Sequence, residues 1–449
     1  MLDIKNKKIT VIGAVRSGLG AAKLAKQLGA IPFVSDAGSE EKLKLSIEIL
    51  QKEKIDFEIG KHSEKVFDCD LMVISPGVPS DAEVIRNAKN KNVKTISELE
   101  FASSFCKGNV IGITGTNGKT TTTSLCGYLF NECGIKSYEA GNIGLAFSEI
   151  AAAVKENEFV SLEISSFQLD LIDKFKPKVA MILNITPDHL NRYENSVEKY
   201  ASSKLRIFEN QNENDFLILS KDSDLLNQYF RKAKSKIFFF STKKKVSNGC
   251  YLNNDEVKFV QNDVVEFTCN ISDIFIKGEH NIQNAMAVII AAKIFNLDNE
   301  KIVAALKSFQ GVEHRLELVR EIEGIKFIND SKATNVDSVV VALKSFDEPI
   351  FLILGGQDKG NDYSMIEQLV IDKVKKIYAI GSSAEKVFNY FHKKVKTEIK
   401  KDFDEVINSA ISEARKGEVV LLSPACASFD MFDNYEHRGK VFKSIVNNK

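Results

Sequence analysis

The chain has 449 residues, too many for a single hydrophobic core, so we expect two or three domains. Hydrophobic residues make up 44% and charged residues 27% of the chain, which is the composition of a soluble globular protein. Lys plus Arg and Asp plus Glu number 61 each, and this balance disfavours nucleic acid or an anionic membrane as a partner.

The cysteines and the first residues bear on the cellular compartment. Seven cysteines are scattered along the chain without a CxxC pair, which favours reduced thiols over a disulfide framework or a zinc site. The segment MLDIKNKKITVIGAV lacks the apolar core and cleavage site of a signal peptide. The sequence also lacks a run of about eighteen apolar residues that could span a membrane. These patterns predict a cytoplasmic protein.

Residues 1–98 alternate between strand and helix patterns. KITVIG predicts a strand that ends in glycine, and AAKLAKQLGA predicts the helix that follows it. IPFVSD predicts a second strand ending at Asp36, and LMVIS predicts a third ending at Ser75. Alternation of this kind is typical of a parallel α/β domain.

Two further α/β domains are expected over residues 99–311 and 312–449. The first contains the strand patterns VIGIT, FVSLEIS, VAMILNI, DFLILS and KIFFF. Its residues 249–277 are rich in β and turn residues, which predicts a small antiparallel appendage. The last domain alternates IKFIN, PIFLILGG, KIYAIG and EVVLLS with helical stretches. We therefore predict three α/β domains, with clefts between them for substrates.

A phosphate-binding loop is the strongest single motif, placed between the strand VIGIT and the helix TTTSLCGYLF. Small residues let backbone N–H groups approach phosphates, and Lys119 can neutralise the β- and γ-phosphate oxygens. The spacing departs from GxxxxGK[ST], in which the first glycine would fall at Ile113. The alternative is a glycine turn with an unrelated lysine. We expect ATP to be bound by Gly115, Thr116, Asn117, Gly118, Lys119, Thr120 and Thr121.

Three ionisable residues follow this loop. Glu163 ends the strand FVSLEIS, where a carboxylate can hold Mg²⁺ or can equally be a surface residue. His189 in NITPDHLNRY follows the next strand, at the edge where α/β proteins bind ligands, although a lone histidine is more often structural. Lys204 in SSKLRIF, taken alone, is typical of a solvated helical lysine.

Nine motifs in order along nearly the whole chain together resemble the Mur ligases. They are GTNGKTT, GNIG (141–144), LEISSFQL, NITPDHLNRY, GEHNIQNAMA, EHR (313–315), NDSKATN, LGGQDKG and SPACASFDMF. Mur ligases use ATP to join amino acids to the growing peptide of UDP-N-acetylmuramate. The variant phosphate loop is typical of this superfamily, which includes folylpolyglutamate synthetases.

Two motifs in the third domain resemble the subgroup that adds D-glutamate. They are NDSKATN (329–335) and SPACASFDMFDNYEHRG (423–439). Other members carry a His- or Asn-centred motif in place of residues 331–334, and the DNPR-type motif of the diaminopimelate-adding member is absent. The resemblance implies UDP-N-acetylmuramoyl-L-alanine, D-glutamate and ATP as substrates, and a monomer.

The glycine turn after the first strand, residues 13–18, lies where a dinucleotide fingerprint would lie. Val15 replaces the second glycine and hinders the approach of a pyrophosphate, so a dehydrogenase is disfavoured. The resemblance instead implies that this domain binds the uridine nucleotide, while Asn142 contacts the muramoyl-peptide portion or its phosphates. The residues implied are Ala14, Val15, Arg16, Ser17, Asp36, Ser75, Pro76, Gly77 and Asn142.

The resemblance also implies a two-step reaction and two Mg²⁺ ions. ATP converts the alanyl carboxylate into an acyl phosphate, and the glutamate amine attacks it through a tetrahedral intermediate. Thr120 and Glu163 are implied to hold one ion, and His189 and Lys204 the second. An ammonium group has no lone pair for a metal, so the resemblance implies that CO₂ carbamylates Lys204.

Further contacts are implied in the second half of the chain, where closure of the third domain is expected to complete the site. The adenosine and phosphate contacts implied are Asn281, Asn284, Arg315 and Asp330. Arg315 can also be read as part of a surface ion pair. The glutamate contacts implied are Lys332, Thr334, Lys359, Ser428 and Phe429.

Three alternatives remain open at this point. The first is another ligase of the superfamily, adding lysine, diaminopimelate or a folate-linked glutamate. The second is a catalytically silent nucleotide-binding partner in a larger assembly. The third, a plain P-loop GTPase or kinase, leaves the first and third domains and NDSKATN unexplained.

Overall fold

The computed structural model describes residues 2–79, 81–142, 144–188, 192–358 and 360–449. Within these ranges the chain forms three sheets covered by helices. It separates into two compact units, Met1–Phe275 with Asn281–Phe309, and Ile276–His280 with Gln310–Lys449. The first unit contains two of the three sheets.

The first sheet has the strand order β3-β2-β1-β4-β5, and all its pairs are parallel. Strand order reverses beside β1, and ligands bind beyond the carboxyl ends of strands at such a point. The sequence does not predict β3, because DFEI is short and only partly buried. The elements are β1 (Lys8–Ile12), β2 (Ile31–Asp36), β3 (Asp56–Ile59), β4 (Leu71–Ile74), β5 (Thr95–Ser97), α1 (Arg16–Gln27), α2 (Glu40–Lys52), α3 (Glu83–Asn90) and α4 (Glu98–Ser103).

The second sheet has the order β14-β13-β12-β11-β10-β9-β6-β8-β7. Its strands are β6 (Asn109–Thr114), β7 (Ser137–Gly141), β8 (Phe159–Glu163), β9 (Val179–Ile182), β10 (Phe216–Ser220), β11 (Lys236–Ser241), β12 (Gly249–Asn253), β13 (Glu256–Gln261) and β14 (Val264–Asn270). Its helices are α5 (Lys119–Glu132), α6 (Phe147–Ile150), α7 (Ser166–Leu169), α8 (Val197–Leu205), α9 (Asp224–Tyr229), α10 (Glu279–Ile294) and α11 (Asn299–Ser308).

The antiparallel strands expected after residue 249 are an extension of this second sheet. β12 to β14 pair antiparallel with one another, while β12 pairs parallel with β11. Gly249 allows this junction, because a Cβ there would lie 1.9 Å from the Phe239 carbonyl oxygen. Its φ of +127° also favours glycine.

The third sheet has the order β15-β16-β20-β17-β18-β19, with only the β15–β16 pair antiparallel among the described strands. The strands are β15 (Glu317–Ile322), β16 (Ile325–Asn329), β17 (Ile350–Gly355), β18 (Val374–Ile380), β19 (Lys396–Ile399) and β20 (Val419–Leu422). The helices are α12 (Val336–Lys344), α13 (Ser364–Lys373), α14 (Ala384–Phe391), α15 (Phe403–Glu413) and α16 (Tyr435–Asn447).

Apolar strands buried on both faces explain why each sheet is mostly parallel. β17 and β20 are buried along their whole length, as helices on both faces require. Each fully buried aliphatic or aromatic side chain contributes about 1.5–3 kcal/mol to folding. The predicted α/β class with three domains is confirmed, whereas the limits at residues 98 and 311 stay predictions. No helix in the described ranges is long and apolar enough to cross a membrane.

Candidate active site

The phosphate loop connects β6 to α5, and two of its glycines adopt conformations that few other residues tolerate. Gly115 has a φ of +154° and Gly118 a φ of +86°. A Cβ on Gly118 would lie only 2.5 Å from the Asn284 Oδ1 atom. Asn284 of α10, expected to contact ATP, therefore lies directly against the loop.

Asn184, which the sequence analysis missed, holds the loop from the segment after β9. Its Oδ1 accepts hydrogen bonds from the backbone N–H groups of Thr116 and Asn117, at 3.1 and 2.9 Å. Its Nδ2 donates to the Asn117 carbonyl oxygen at 3.0 Å. The Thr116 hydroxyl also donates to the Thr186 carbonyl oxygen at 2.9 Å. These bonds fix the loop conformation from the neighbouring strand end.

Two lysines converge on the phosphate loop. Lys119 Nζ donates to the carbonyl oxygens of Gly115 and Thr116, both at 2.7 Å. Lys204 Nζ donates to the same Gly115 oxygen at 2.9 Å. Lys204 is only 1% exposed, so it is not the solvated lysine that its helical sequence suggests.

The surroundings of Lys204 favour its neutral amine. Burial lowers the pKa of Lys204 well below its ordinary value, and the nearby Lys119 lowers it further. Asp188, Glu163 and Asp170 oppose this shift but do not outweigh it. An uncharged amine is the form of lysine that can react with CO₂.

Glu163, at the end of β8, has one carboxylate oxygen without a partner. Oε1 accepts a hydrogen bond from Asn142 Nδ2 at 2.9 Å, whereas Oε2 is buried and bonded to no described residue. The residue is 2% exposed, and an unpaired buried carboxylate oxygen is costly. A carboxylate here, with the Thr120 hydroxyl at the start of α5, is the donor type that Mg²⁺ prefers. His189 lies outside the described residues.

A cavity of about 860 Å³ opens at the carboxyl edge of the first sheet. Its volume is in the range of small-molecule sites. Its lining includes every residue expected to bind the uridine nucleotide substrate except Ala14, namely Val15, Arg16, Ser17, Asp36, Ser75, Pro76, Gly77 and Asn142. His62 and Gln168, which the sequence analysis did not single out, also line it. The Ala14 N–H instead donates to Asp36 Oδ2 at 2.7 Å.

Arg16 joins the first glycine turn to the segment after β7. Its Nη1 donates to the Gly144 carbonyl oxygen at 2.8 Å, and its Nη2 donates to that of Asn142 at 3.0 Å. Because Asn142 also bonds Glu163, the turn and the candidate metal ligand are connected through a single residue. The Arg16 guanidinium therefore acts here as a bridge between two segments of the first unit.

Asp330 and Arg315 lie together in the second unit. Asp330 is 1% exposed, and its Oδ2 accepts a hydrogen bond from the Ser423 hydroxyl at 2.9 Å. Arg315 Nη1 lies 3.9 Å from Asp330 Oδ1. Burial raises the pKa of Asp330 to about 6, although Arg315 and the Ser423 hydrogen bond oppose the shift. Arg315 therefore belongs to a largely buried pair and not to a surface ion pair.

Arg438, another residue that the sequence analysis missed, connects the two motifs expected to recognise glutamate. Its Nε donates to the Ser331 hydroxyl oxygen at 2.9 Å, and its Nη1 donates to the Cys426 carbonyl oxygen at 3.1 Å. Lys332 Nζ donates to the Tyr435 hydroxyl at 3.1 Å.

The remaining expected residues of the adenosine and glutamate sites differ in exposure. Asn281 is buried and accepts a hydrogen bond from Asn284 Nδ2 at 3.2 Å. Thr334 is half-buried, Ser428 is buried, and Phe429 is 65% exposed. Lys359 lies outside the described ranges.

Three family models match consecutive parts of the chain. The MurD N-terminal domain matches residues 8–84, the Mur ligase middle domain residues 113–292, and the glutamate ligase domain of Mur ligases residues 314–426. Together they cover the regions that contain the cavity, the phosphate loop and the Asp330 pair.

Curated relatives align along the whole chain. A UDP-N-acetylmuramoylalanine–D-glutamate ligase of Koribacter versatilis is 41% identical, covering 99% of this chain and 98% of its own. One of Clostridioides difficile is 40% identical and covers 100% of both chains.

Solved structures share the fold at low identity. The UDP-N-acetylmuramate-alanine ligase MurC of Thermotoga maritima has a TM-score of 0.63 at 20% identity, covering 98% of this chain and 99% of its own. The MurF ligase of the same organism in complex with ADP has a TM-score of 0.60 at 16% identity, covering 99% and 96%. With the full-length relatives and the family models, these findings show that the chain belongs to the Mur ligase family.

Proposed function

We propose that this chain is an ATP-dependent ligase that joins D-glutamate to UDP-N-acetylmuramoyl-L-alanine in the synthesis of peptidoglycan precursors. The hydrogen bond between Asn142 and Glu163 carries the proposal, because it links the nucleotide-sugar cavity to the segment beside the phosphate loop. The names of the relatives support these substrates. We further propose that the enzyme is a cytoplasmic monomer.

Amide formation from a carboxylate requires activation, since a carboxylate is a poor electrophile. The γ-phosphoryl group of ATP passes to the alanyl carboxylate, which yields an acyl phosphate and ADP. The glutamate nitrogen then attacks the acyl carbon, and the tetrahedral intermediate expels inorganic phosphate as the nitrogen loses a proton. Lys119 exchanges its contacts to Gly115 and Thr116 for phosphate oxygens and stabilises the charge that accumulates there.

Thr120, Glu163, His189 and a carbamylated Lys204 are the residues that would hold two Mg²⁺ ions. Bound Mg²⁺ supplies neutralisation of the phosphate charge during transfer. The unpaired Glu163 Oε2 and the burial of Lys204 support this assignment. Carbamylation joins the nitrogen of the neutral Lys204 amine to the carbon of CO₂ and releases one proton, which converts an uncharged amine into an anionic oxygen ligand.

The other contacts are assigned by unit. Uridine nucleotide binding belongs to the cavity of the first sheet, and ATP binding belongs to the phosphate loop with Asn281 and Asn284. In the second unit, Arg315 and Asp330 complete the ATP contacts, and glutamate is recognised by Lys332, Thr334, Lys359, Ser428 and Phe429. Cationic and hydroxyl groups of this kind suit a dicarboxylate. The domain limits proposed are 1–98, 99–311 and 312–449.

Phosphate release tests the proposal. The enzyme is supplied with ATP, Mg²⁺ and UDP-N-acetylmuramoyl-L-alanine, and D-glutamate, L-glutamate, L-lysine or diaminopimelate is added separately. We expect phosphate release only with D-glutamate, and none when the nucleotide sugar is omitted. Turnover with lysine or diaminopimelate instead would assign the chain to another ligase of the family. Absence of turnover with every amino acid would contradict a catalytic role.

A further inference from the structure

The nucleotide-sugar cavity has two distinguishable ends. At one end Asn142, from the segment after β7, bonds the candidate metal ligand Glu163. At the other end His62 follows β3, the outermost strand of the first sheet. Given the proposed function, the alanyl carboxylate must reach the Asn142 end. That orientation would put the nucleobase at the His62 end.

A short hydrogen-bond chain behind the cavity leads from Glu58 through Ser35 to His62. Ser35 Oγ lies 2.8 Å from Glu58 Oε1 and 2.7 Å from His62 Nδ1. Glu58 also accepts hydrogen bonds from the Ser63 N–H at 2.9 Å and the Ser63 hydroxyl at 2.6 Å. Burial opposes ionisation of Glu58, but these Ser63 and Ser35 hydrogen bonds hold its pKa below the usual range. Glu58 is thus an ionised carboxylate that can only accept.

The ionised carboxylate determines the tautomer of His62. The Ser35 hydroxyl has one proton, and the contact with Glu58 requires Ser35 to donate it there. The carbonyl oxygen of Lys61, the other acceptor near this hydroxyl, is farther away at 3.3 Å. Ser35 must therefore accept from His62, so that Nδ1 carries the ring proton and Nε2 has a free lone pair.

His62 is neutral and its Nε2 is available. Burial lowers the pKa of His62, although the negative charges of Asp36 and Glu58 oppose the shift. No described residue forms a hydrogen bond with Nε2, and His62 lines the cavity. Each Asp36 oxygen already accepts one N–H group, from Ala14 and from Gly38, both at 2.7 Å, whereas His62 Nε2 accepts none from the described residues. The cavity therefore offers an unused acceptor at its nucleobase end.

We propose that His62 is a specificity-determining residue whose Nε2 accepts the N3–H of uracil. Cytosine presents a lone pair at N3, which would face the Nε2 lone pair without a proton between them. A methyl group on uracil N3 would remove the donor and add bulk. The Glu58–Ser35 pair orients His62 and maintains the required tautomer, so both are positioning residues. This inference rests on the proposed function, since it assumes a uridine nucleotide.

Binding of free nucleotides to the full chain tests the proposal. Titration calorimetry compares UDP, CDP and 3-methyluridine diphosphate. We expect UDP to bind at least about tenfold more tightly than the other two, because an unpaired buried polar group is costly. His62→Phe is expected to weaken UDP binding and reduce the UDP preference to less than about twofold. His392→Phe, at an exposed histidine in the second unit, is the matched control and leaves the preference unchanged.

A second measurement separates orientation from packing. In ¹⁵N NMR of the histidine rings, His62 is expected to show the neutral Nδ1–H tautomer. Ser35→Ala removes the acceptor of the His62 Nδ1 proton, so the ring is expected to shift toward the Nε2–H tautomer. UDP affinity should fall with this shift although the residues that line the cavity are unchanged. A purely structural role for Ser35 would leave the tautomer as it was.

The two levels of the proposal can fail separately. Equal affinity for UDP and 3-methyluridine diphosphate, or an Nε2–H tautomer in the unmodified protein, would overturn the role of His62 and leave the ligase proposal intact. Absence of binding to any uridine nucleotide would overturn both.

Discussion

Lys204 donates from its Nζ to the carbonyl oxygen of Gly115 at 2.9 Å, at the start of the phosphate loop. Lys119 donates to the same oxygen at 2.7 Å. Two ammonium groups on one carbonyl repel each other, and the buried Lys204 loses its proton more readily. The pair thus consists of a phosphate-binding cation and an amine suited to react with CO₂.

Lys204→Arg should abolish most of the activity, because a guanidinium stays charged and does not form a carbamate. We expect kcat to fall at least about 100-fold, the scale of losing a main electrostatic group in catalysis. Lys199→Arg, at an exposed lysine of the same helix, is the control and should retain activity. The protein without any substitution should also show the added mass of one CO₂, which is lost on acid treatment. Full activity of Lys204→Arg would refute the carbamate.

Asn184→Ala should weaken ATP binding. The substitution removes two acceptor contacts and one donor contact that hold Thr116 and Asn117 in place. Hydrogen bonds of this kind contribute about 0.5–1.5 kcal/mol each, so the KM for ATP should rise about tenfold or more. Initial rates at varied ATP give this value, with Asn214→Ala in an exposed turn as control. An unchanged KM would show that the loop is held without Asn184.

Arg16→Met should affect the two ends of the nucleotide-sugar cavity differently, lowering catalysis more than UDP binding. The guanidinium holds the segment that carries Asn142, so its loss should lower kcat by about tenfold, the scale of a charged hydrogen bond. UDP affinity should change by less than about twofold if Arg16 acts only as this bridge. Lys23→Met, on the exposed side of α1, is the control. A large loss of UDP affinity would instead place Arg16 in contact with the diphosphate.

Asp330→Asn should change how stability depends on pH. Burial raises the pKa of Asp330 to about 6 in the folded chain, above the value of about 3.9 in an unfolded chain. Between these values the folded state binds the extra proton, so the carboxyl group makes folding less favourable as pH rises. Relative to the unmodified protein, the variant should gain on the order of 2–3 kcal/mol between pH 4 and pH 7.

Calorimetric unfolding of the ligand-free chain at several pH values measures this difference. Asp404→Asn, at an exposed carboxylate of α15, is the control and should track the unmodified protein at each pH. A stability difference between Asp330→Asn and the unmodified protein that stays constant from pH 4 to pH 7 would contradict the raised pKa.

Local patterns made much of the site predictable. The phosphate loop and the turn at residues 13–18 are each a strand, a glycine turn and a helix in succession, so their position follows from neighbouring residues. The hydrogen bonds of Asn184 to the phosphate loop and of Arg438 to Ser331 and Cys426 could not be predicted in this way. Their contacts join residues 67 and 107 positions apart, and a single polar residue carries no sign of its distant partner in the sequence.

The burial of Lys204 shows why helical pattern alone was insufficient. On α8 a lysine near the C-terminal end is favoured by the helix dipole and is usually solvated. Packing of this helix against α7 and the phosphate loop encloses the side chain instead. Such a conflict between local preference and burial is expected at functional sites. Only the family resemblance singled this residue out.

Transfer of oxygen from substrate to phosphate tests the central claim most directly. UDP-N-acetylmuramoyl-L-alanine labelled with ¹⁸O in its alanyl carboxylate is incubated with ATP, Mg²⁺ and D-glutamate, and the phosphate is analysed by mass spectrometry. If the carboxylate is activated as an acyl phosphate, each amide formed releases one phosphate that carries one ¹⁸O atom. Unlabelled phosphate, or equal phosphate release without D-glutamate, would contradict the account.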